Sequence, residues 1–195
     1  AWIKPVKAPV VFFNTASSSS PFISAISGAN RVIITATRSG GEQNFARFGE
    51  YLSVAIGNAD ADLDKDGQTS VLEAFLVASR QLSDFYDAEG RLATEHPLID
   101  DNGDQLGTPP EWFRGVRPVK KSVDGSPDGY RAHQFHLVLG EQEKLIPEEL
   151  RRERDALEVE VYKLRDQKAQ LPEEEYYQKL ETILRKIGRI YEQAG

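Results

Sequence analysis

Two apolar runs near the start of the chain do not alternate with polar residues. Residues 10–13 (VVFF) and 32–37 (VIITAT) are short, β-branched and aromatic, as strands covered on both faces are. Between them Phe22, Ile23 and Ile26 follow helical spacing, and Gly28 closes the segment. Strand, short helix, strand predicts a right-handed parallel crossover. Phe45, Phe48, Leu52 and Ile56 then recur three or four apart up to Gly57-Asn58, predicting a second helix. Leu72, Phe75, Leu76, Ser79, Leu82 and Tyr86 predict a third, which Gly90 ends. Residues 94–130 carry Pro97, Pro109, Pro110, Pro118 and Pro127 with several Asp-Gly or Asn-Gly pairs, a loop-like composition. In residues 131–139 (RAHQFHLVL) the apolar Phe135, Leu137 and Leu139 alternate, predicting a strand.

From Pro147 the rhythm changes. Leu150, Arg154, Leu157, Val161, Leu164, Lys168 and Leu171 alternate spacings of four and three, a heptad seam with two charged positions. Pro172 breaks it and starts a new run through Tyr176, Leu180, Ile183, Ile187 and Ile190. The pattern predicts a helical hairpin, its second helix packed back on the first. The expected division is an α/β portion over residues 1–140 and a hairpin over 141–195, the latter a docking or assembly device.

At 195 residues the chain is long enough for one sizeable domain with an appendage. Its 31 acidic and 24 basic residues give a net charge of −7, which argues against nucleic acid as a partner. The nearest approach to a basic patch is Arg114, Arg117, Lys120 and Lys121. It contains few aromatics and reads as solvated surface. No apolar run approaches the ~20 residues that cross a bilayer, and the hairpin's polar faces mix acid with base; membrane insertion is not expected. Cysteine is absent, which excludes disulfides, thiolate metal sites and thiol catalysis within these residues without fixing the compartment. Methionine is absent too, as in a chain that is processed, trimmed or part of something longer. No secretory signal shows at the start, although a mature chain would have lost one.

The strongest chemical signal is DLDKDGQTSVLE, residues 62–73. It meets every ligand position of the twelve-residue EF-hand calcium loop. Asp62, Asp64 and Asp66 supply side-chain oxygens, Gln68 a backbone carbonyl, Ser70 a direct or water-mediated contact, and Glu73 a bidentate carboxylate. Gly67 stands where the loop turns sharply. A predicted helix enters and another leaves, so an acidic solvated turn is the weaker reading. Thr69 replaces the apolar residue that pairs two such loops, which favours a structural ion over a sensor. A second cluster, DDNGDQLGTPPE, offers Asp100, Asn102 and Asp104 at alternate positions and Glu111 at the twelfth. Gln105 replaces the turning glycine and Pro109-Pro110 forbid an exiting helix, so an Asx-rich turn competes with a half-formed calcium site. A dockerin-like pair of loops would need a helix that the second loop lacks.

VVFFNTASSSSPF, residues 10–22, places Ser17, Ser18, Ser19 and Ser20 at a strand-to-helix elbow. An activated serine needs a positioned histidine, and no glycine flanks these serines as the G-x-S-x-G elbow requires. Serines before a proline read instead as a helix N-cap and polar turn. His133 and His136, three apart in a predicted strand, point to opposite faces, one buried and hydrogen-bonded and one solvated, which argues against a shared metal.

The apolar strand, small-residue elbow, short helix and VIITATRSGGEQNFARFGEYL resemble the later half of the legumain-like peptidases, which have the caspase fold. The resemblance extends to bacterial forms that add an EF-hand-like loop, a TEH segment (Thr94-Glu95-His96) and a helical tail. It covers residues 1–105 well and the tail more loosely. In that family the first strand ends in a catalytic cysteine followed by Ser-Gly, and the next strand ends in an Ala-Thr pair like Ala36-Thr37. The cysteine position falls at Ala16 and the Ser-Gly at Ser18-Ser19. The family's histidine lies upstream of the cysteine, whereas His96, His133 and His136 all come later. The resemblance therefore implies a partial caspase-like parallel-sheet α/β domain, catalytically inactive as written. It would act as a calcium-stabilised binding or scaffold module for a protein or peptide partner, its own N-terminal portion included. The alternative it implies is a cysteine endopeptidase whose nucleophile is replaced at Ala16 and whose histidine lies on a missing N-terminal portion. It leans to an extracytoplasmic setting, periplasmic or exported.

Overall fold

The computed structural model describes residues 3, 5–121 and 126–194. β1 (Val10–Asn14) and β2 (Arg31–Thr35) pair in parallel, Val10 opposite Arg31 and Asn14 opposite Thr35, with α1 (Pro21–Ile26) as the crossover. β2 is the centre of a three-stranded sheet, because β4 (Leu98–Asp100) pairs antiparallel with its other edge. The VIIT run does not alternate because both faces of β2 are covered. Val32 and Ile34 face one cluster with Phe48, Leu52 and Phe75, while Ile33 packs with Ile23 and Leu98 on the other. The chain is α/β, with seven helices and this small mixed sheet, and no closed barrel, among the described residues.

α2 (Phe48–Ala55) and α3 (Val71–Ala88) pack on the sheet and on each other, with the Phe48 and Phe75 rings edge-to-face at 6.1 Å. Burying a side chain such as Phe75 is worth about 1.5–3 kcal/mol. α2 starts at Phe48 and not at Phe45, which is 77% exposed. Its first turn is capped from a distance: the buried Glu95 carboxylate accepts the N–H groups of Arg47 and Phe48 at 2.7–3.0 Å. α3 begins with a capping box, Ser70 and Glu73 each accepting the other's backbone N–H.

The described residues of 94–130 carry more regular structure than their composition predicts. They contain β4, a 3-10 turn (Pro110–Trp112) and a hairpin of β5 (Phe113–Arg114) with β6 (Arg117–Pro118). β4 forms because the open edge of a buried central strand needs a partner. Residues 131–139 are not one strand. α4 (Tyr130–Gln134) comes first, and β7 (His136–Val138) then pairs antiparallel with β3 (Thr69–Ser70). The Asp101 carboxylate accepts the Gly129 and Ala132 N–H groups at 2.9 and 2.8 Å and so starts α4. Gly129 there has φ +106°, a left-handed value that favours glycine.

The chain forms two compact units, Ala1–Val138 and Leu139–Gly195. The second holds α5 (Glu141–Leu145), α6 (Glu148–Asp166) and α7 (Glu173–Ala194), with α6 and α7 packed on each other. Leu157, Val161, Leu164, Tyr176 and Ile190 are buried, and Leu180, Ile183 and Ile187 are half-buried. α6 stops at Asp166, so Lys168 and Leu171 lie beyond it. Lys168 instead sets its ammonium 5.2 and 5.6 Å from the Tyr176 and Tyr177 ring centres. Arg154 is a buried cation, bonded to Glu143 at 2.6 and 2.7 Å and to Asp155 at 2.7 Å. Burial works against its charge, but these carboxylates outweigh it and hold its pKa above the ordinary value. Among the described residues no helix is long and apolar enough to cross a membrane, and Arg114, Arg117, Lys120 and Lys121 are all exposed.

Candidate metal centre

The loop of residues 62–73 wraps around the Asp62 carboxylate. Its Oδ1 accepts the Lys65 and Asp66 N–H groups at 2.6 and 3.1 Å, and its Oδ2 accepts that of Gly67 at 3.0 Å. Asp64 and Asp66 make shorter versions of the same turn, accepting from Asp66 N–H at 3.3 Å and Gln68 N–H at 2.8 Å. Gly67, at φ +85°, reverses the chain. The result brings one carboxylate oxygen from each of Asp62, Asp64 and Asp66 within 4.8 Å of the others.

Glu73 closes the loop from the first turn of α3. It is 1% exposed. Its Oε1 accepts the Leu63 and Asp64 N–H groups at 2.7 and 3.3 Å, and its Oε2 accepts the Ser70 N–H and hydroxyl at 2.8 Å each. One carboxylate thus ties the entry of the loop to the start of the exiting helix. Ser70 is buried, and Gln68 is half-buried with its side-chain amide 3.4 Å from Asp66 Oδ2.

Two histidines border the acidic loop, which their sequence spacing conceals. His133 Nε2 lies 2.9 Å from Asp64 Oδ2, and His136 Nε2 lies 4.0 Å from Asp66 Oδ2. They do not diverge as a strand would require, because α4 ends at Gln134 and the strand begins at His136. Neither is solvated, with side-chain exposures of 17% and 10%. Asp64, Glu73 and His133 offer a second trio of ligand atoms within 4.8 Å. The β3–β7 pairing, with Ser70 opposite His136, delivers the His136 ring, and α4 delivers that of His133.

The second acidic segment is built differently. Asp100 Oδ1 accepts the Gly103 N–H at 3.1 Å, Asn102 Oδ1 that of Asp104 at 2.7 Å, and Asp104 Oδ1 that of Leu106 at 2.8 Å. Among the described residues, neither group of three ligand-bearing side chains includes any of these residues. The buried pair beside them is Asp101 and Asp128, 5% and 2% exposed. Asp128 accepts from Asp101 N–H, Asn102 N–H and the Thr108 hydroxyl at 2.8, 3.0 and 2.5 Å. Burial pushes both acids above the usual carboxylate range, and the Asp101 charge lifts Asp128 further, to about 8. Burial raises Asp100 as well.

The elbow after β1 exposes Ala16, whose N–H is turned back onto Asn14 Oδ1 at 3.1 Å. The four serines that follow staple it to the chain around β2. Ser17 donates to the Asn44 carbonyl at 2.5 Å, Ser18 to that of Glu42 at 3.5 Å, and Ser20 to that of Arg38 at 3.0 Å. Buried Ser19 accepts the Ala36 and Thr37 N–H groups at 3.0 and 3.2 Å. Ser20 stands at the N-cap of α1 without capping it through its side chain, because its hydroxyl is drawn to Arg38. His96 Nδ1 pairs with Glu42 Oε1 at 2.7 Å. Glu95 also accepts the Tyr86 hydroxyl at 3.1 Å, and Tyr86 meets Thr94 at 2.9 Å. The Thr94-Glu95-His96 segment therefore ties α2, α3 and the loop at Glu42 together. Beside it lies a cavity of about 410 Å³ bordered by Arg38, Tyr86, His96 and Glu111.

The fold and site define an α/β protein with an acidic, histidine-flanked loop between two helices. No family model, curated protein or solved structure matches the chain.

Proposed function

We propose that this is a catalytically inactive, legumain-like domain of caspase-fold type, stabilised by one calcium ion in the 62–73 loop and serving as a binding or scaffold module for a protein or peptide. The observation that carries this reading is the convergence of Asp62, Asp64 and Asp66 within 4.8 Å, ahead of a Glu73 fixed at the loop's twelfth position. Calcium takes six to eight hard oxygens in a flexible shell. Asp62, Asp64, Asp66, the Gln68 carbonyl, Ser70 and Glu73 would hold it. His133 and His136 would orient the Asp64 and Asp66 carboxylates from outside. The ion would lock the α2–α3 pair, which forms much of the core.

Inactivity follows from the elbow. Ala16 offers neither attack nor proton exchange, and the neighbouring serine hydroxyls serve as staples. Ala16 is nonetheless exposed just past the end of a parallel strand, where a nucleophile would be presented. That favours the second reading, a cysteine endopeptidase whose nucleophile has been replaced and whose histidine is supplied upstream.

Thermal unfolding in calcium and in excess chelator tests the proposal. At a calcium concentration about 100 times the dissociation constant, the gain is about 2.7 kcal/mol, several degrees in Tm for a domain of this size. Identical melts contradict the calcium reading. A serine-directed fluorophosphonate should leave the mass of the chain unchanged, and labelling at Ser17–Ser20 overturns the inactive reading. Ala16→Cys should remain inactive alone and gain peptidase activity only with an upstream histidine-bearing segment, the outcome that would promote the second reading.

A further inference from the structure

Independently of the metal loop, α7 carries more apolar surface than α6 covers. Tyr176 and Ile190, at its inner edge, are buried at 4% and 3% exposure. A second line of side chains runs beside them. Tyr177, Leu184 and Tyr191 are 49%, 49% and 50% exposed, and they are spaced seven apart along the helix. That spacing keeps them on one stripe over two turns each. Gly188 lies on the same stripe between Leu184 and Tyr191, and an added Cβ there would meet nothing within 4 Å. The stripe is thus a row of three large side chains with an open notch.

This row is its own complement. Leu184 sits midway between the two tyrosines, so a two-fold axis at Leu184 that runs two α7 helices antiparallel sets Tyr177 of each copy against Tyr191 of the other. Charge agrees with that direction. The first half of α7 is acidic, with Glu173, Glu174, Glu175 and Glu181 against Lys179, and the second half is basic, with Arg185, Lys186 and Arg189 against Glu192. Antiparallel pairing brings unlike halves together, and parallel pairing brings like halves together. Acid first and base last also suits the helix dipole, but the dipole asks for no symmetric apolar row on the outer face.

We propose that the outer face of α7 is a homodimer surface: two copies of this chain join antiparallel through Tyr177, Leu184 and Tyr191, turning two hairpins into a four-helix bundle. The test is sedimentation of the full chain over a range of concentrations, joined to cysteine cross-linking, which the absence of native cysteine makes clean. Wild type should sediment as a reversible dimer, and Leu184→Glu should shift the dissociation constant upward at least 10-fold while leaving the calcium response of the other unit unchanged. Under mild air oxidation Leu184→Cys should form a covalent dimer. Tyr177→Cys mixed with Tyr191→Cys should cross-link to each other, and Tyr177→Cys alone should not. A chain that stays monomeric at all concentrations, a Leu184→Glu dimer as tight as wild type, or efficient Tyr177–Tyr177 linkage overturns the proposal.

Discussion

The two acidic segments of the first unit share a composition and use it in opposite ways. Both alternate acids with other residues around a glycine, and both answer their own backbone N–H groups with carboxylates. In residues 62–73 Asp62, Asp64 and Asp66 stay near the surface and converge, with Glu73 buried behind them. There Asp64 and Asp66 are exposed, and two imidazoles arrive from another part of the chain. In the second segment Asp101 is taken out of water together with Asp128 from further along the chain. Burial, and for Asp128 the neighbouring Asp101 charge, pushes these carboxyls above the usual range. Burial sets the two apart: three aspartates are left open to a cation in the loop, while the carboxyls of the buried pair are pushed above the usual range.

The sharpest break of this contrast is Asp128→Ala. It leaves the Asp101 and Asn102 N–H groups and the Thr108 hydroxyl without their acceptor, and should cost about 4 kcal/mol in chemical denaturation. The isosteric Asp128→Asn keeps an acceptor but removes the titration. A raised folded pKa gives stability that is fully present below the ordinary aspartate value of about 4. That stability is lost as pH rises through about 8. Wild type should therefore lose stability by up to about 1.4 kcal/mol per pH unit between pH 4 and 8, and Asp128→Asn should flatten that slope. An unchanged slope would mean that the pair is not the titrating element.

Effects at the first loop should be smaller and conditional on calcium. Asp62→Ala should abolish the stabilising gain, about 2.7 kcal/mol at saturating calcium, while shifting the chelator baseline less. Smallest of all is Asp104→Ala, which removes one turn acceptor from Leu106 and should cost about 1 kcal/mol with the calcium gain intact. Loss of that gain in Asp104→Ala would erase the distinction between the loops.

What could be read from the sequence was what is local. The crossover and the two helices of the first unit follow from apolar spacing, and the twelve-residue loop follows from alternation of acids around Gly67. What was missed depends on partners far along the chain. α2 begins at Phe48 because Glu95 caps it, and α4 exists because Asp101 receives its first N–H groups. β4 is three residues long within a proline- and glycine-rich stretch, and only the open edge of β2 makes it a strand. The histidines were misplaced for the same reason: a helix-to-strand junction at Phe135 turns a spacing of three into a shared direction. In the second unit the heptad revealed the hairpin but showed Arg154 as an interruption, since its partner Glu143 precedes the seam.

Equilibrium dialysis of calcium against the wild-type chain, Glu73→Gln and Asp104→Asn compares the two segments in one experiment. One ion per chain is expected in wild type and in Asp104→Asn, and none in Glu73→Gln. No bound calcium in wild type, or an ion kept by Glu73→Gln and lost by Asp104→Asn, would contradict the assignment of the metal to the 62–73 loop.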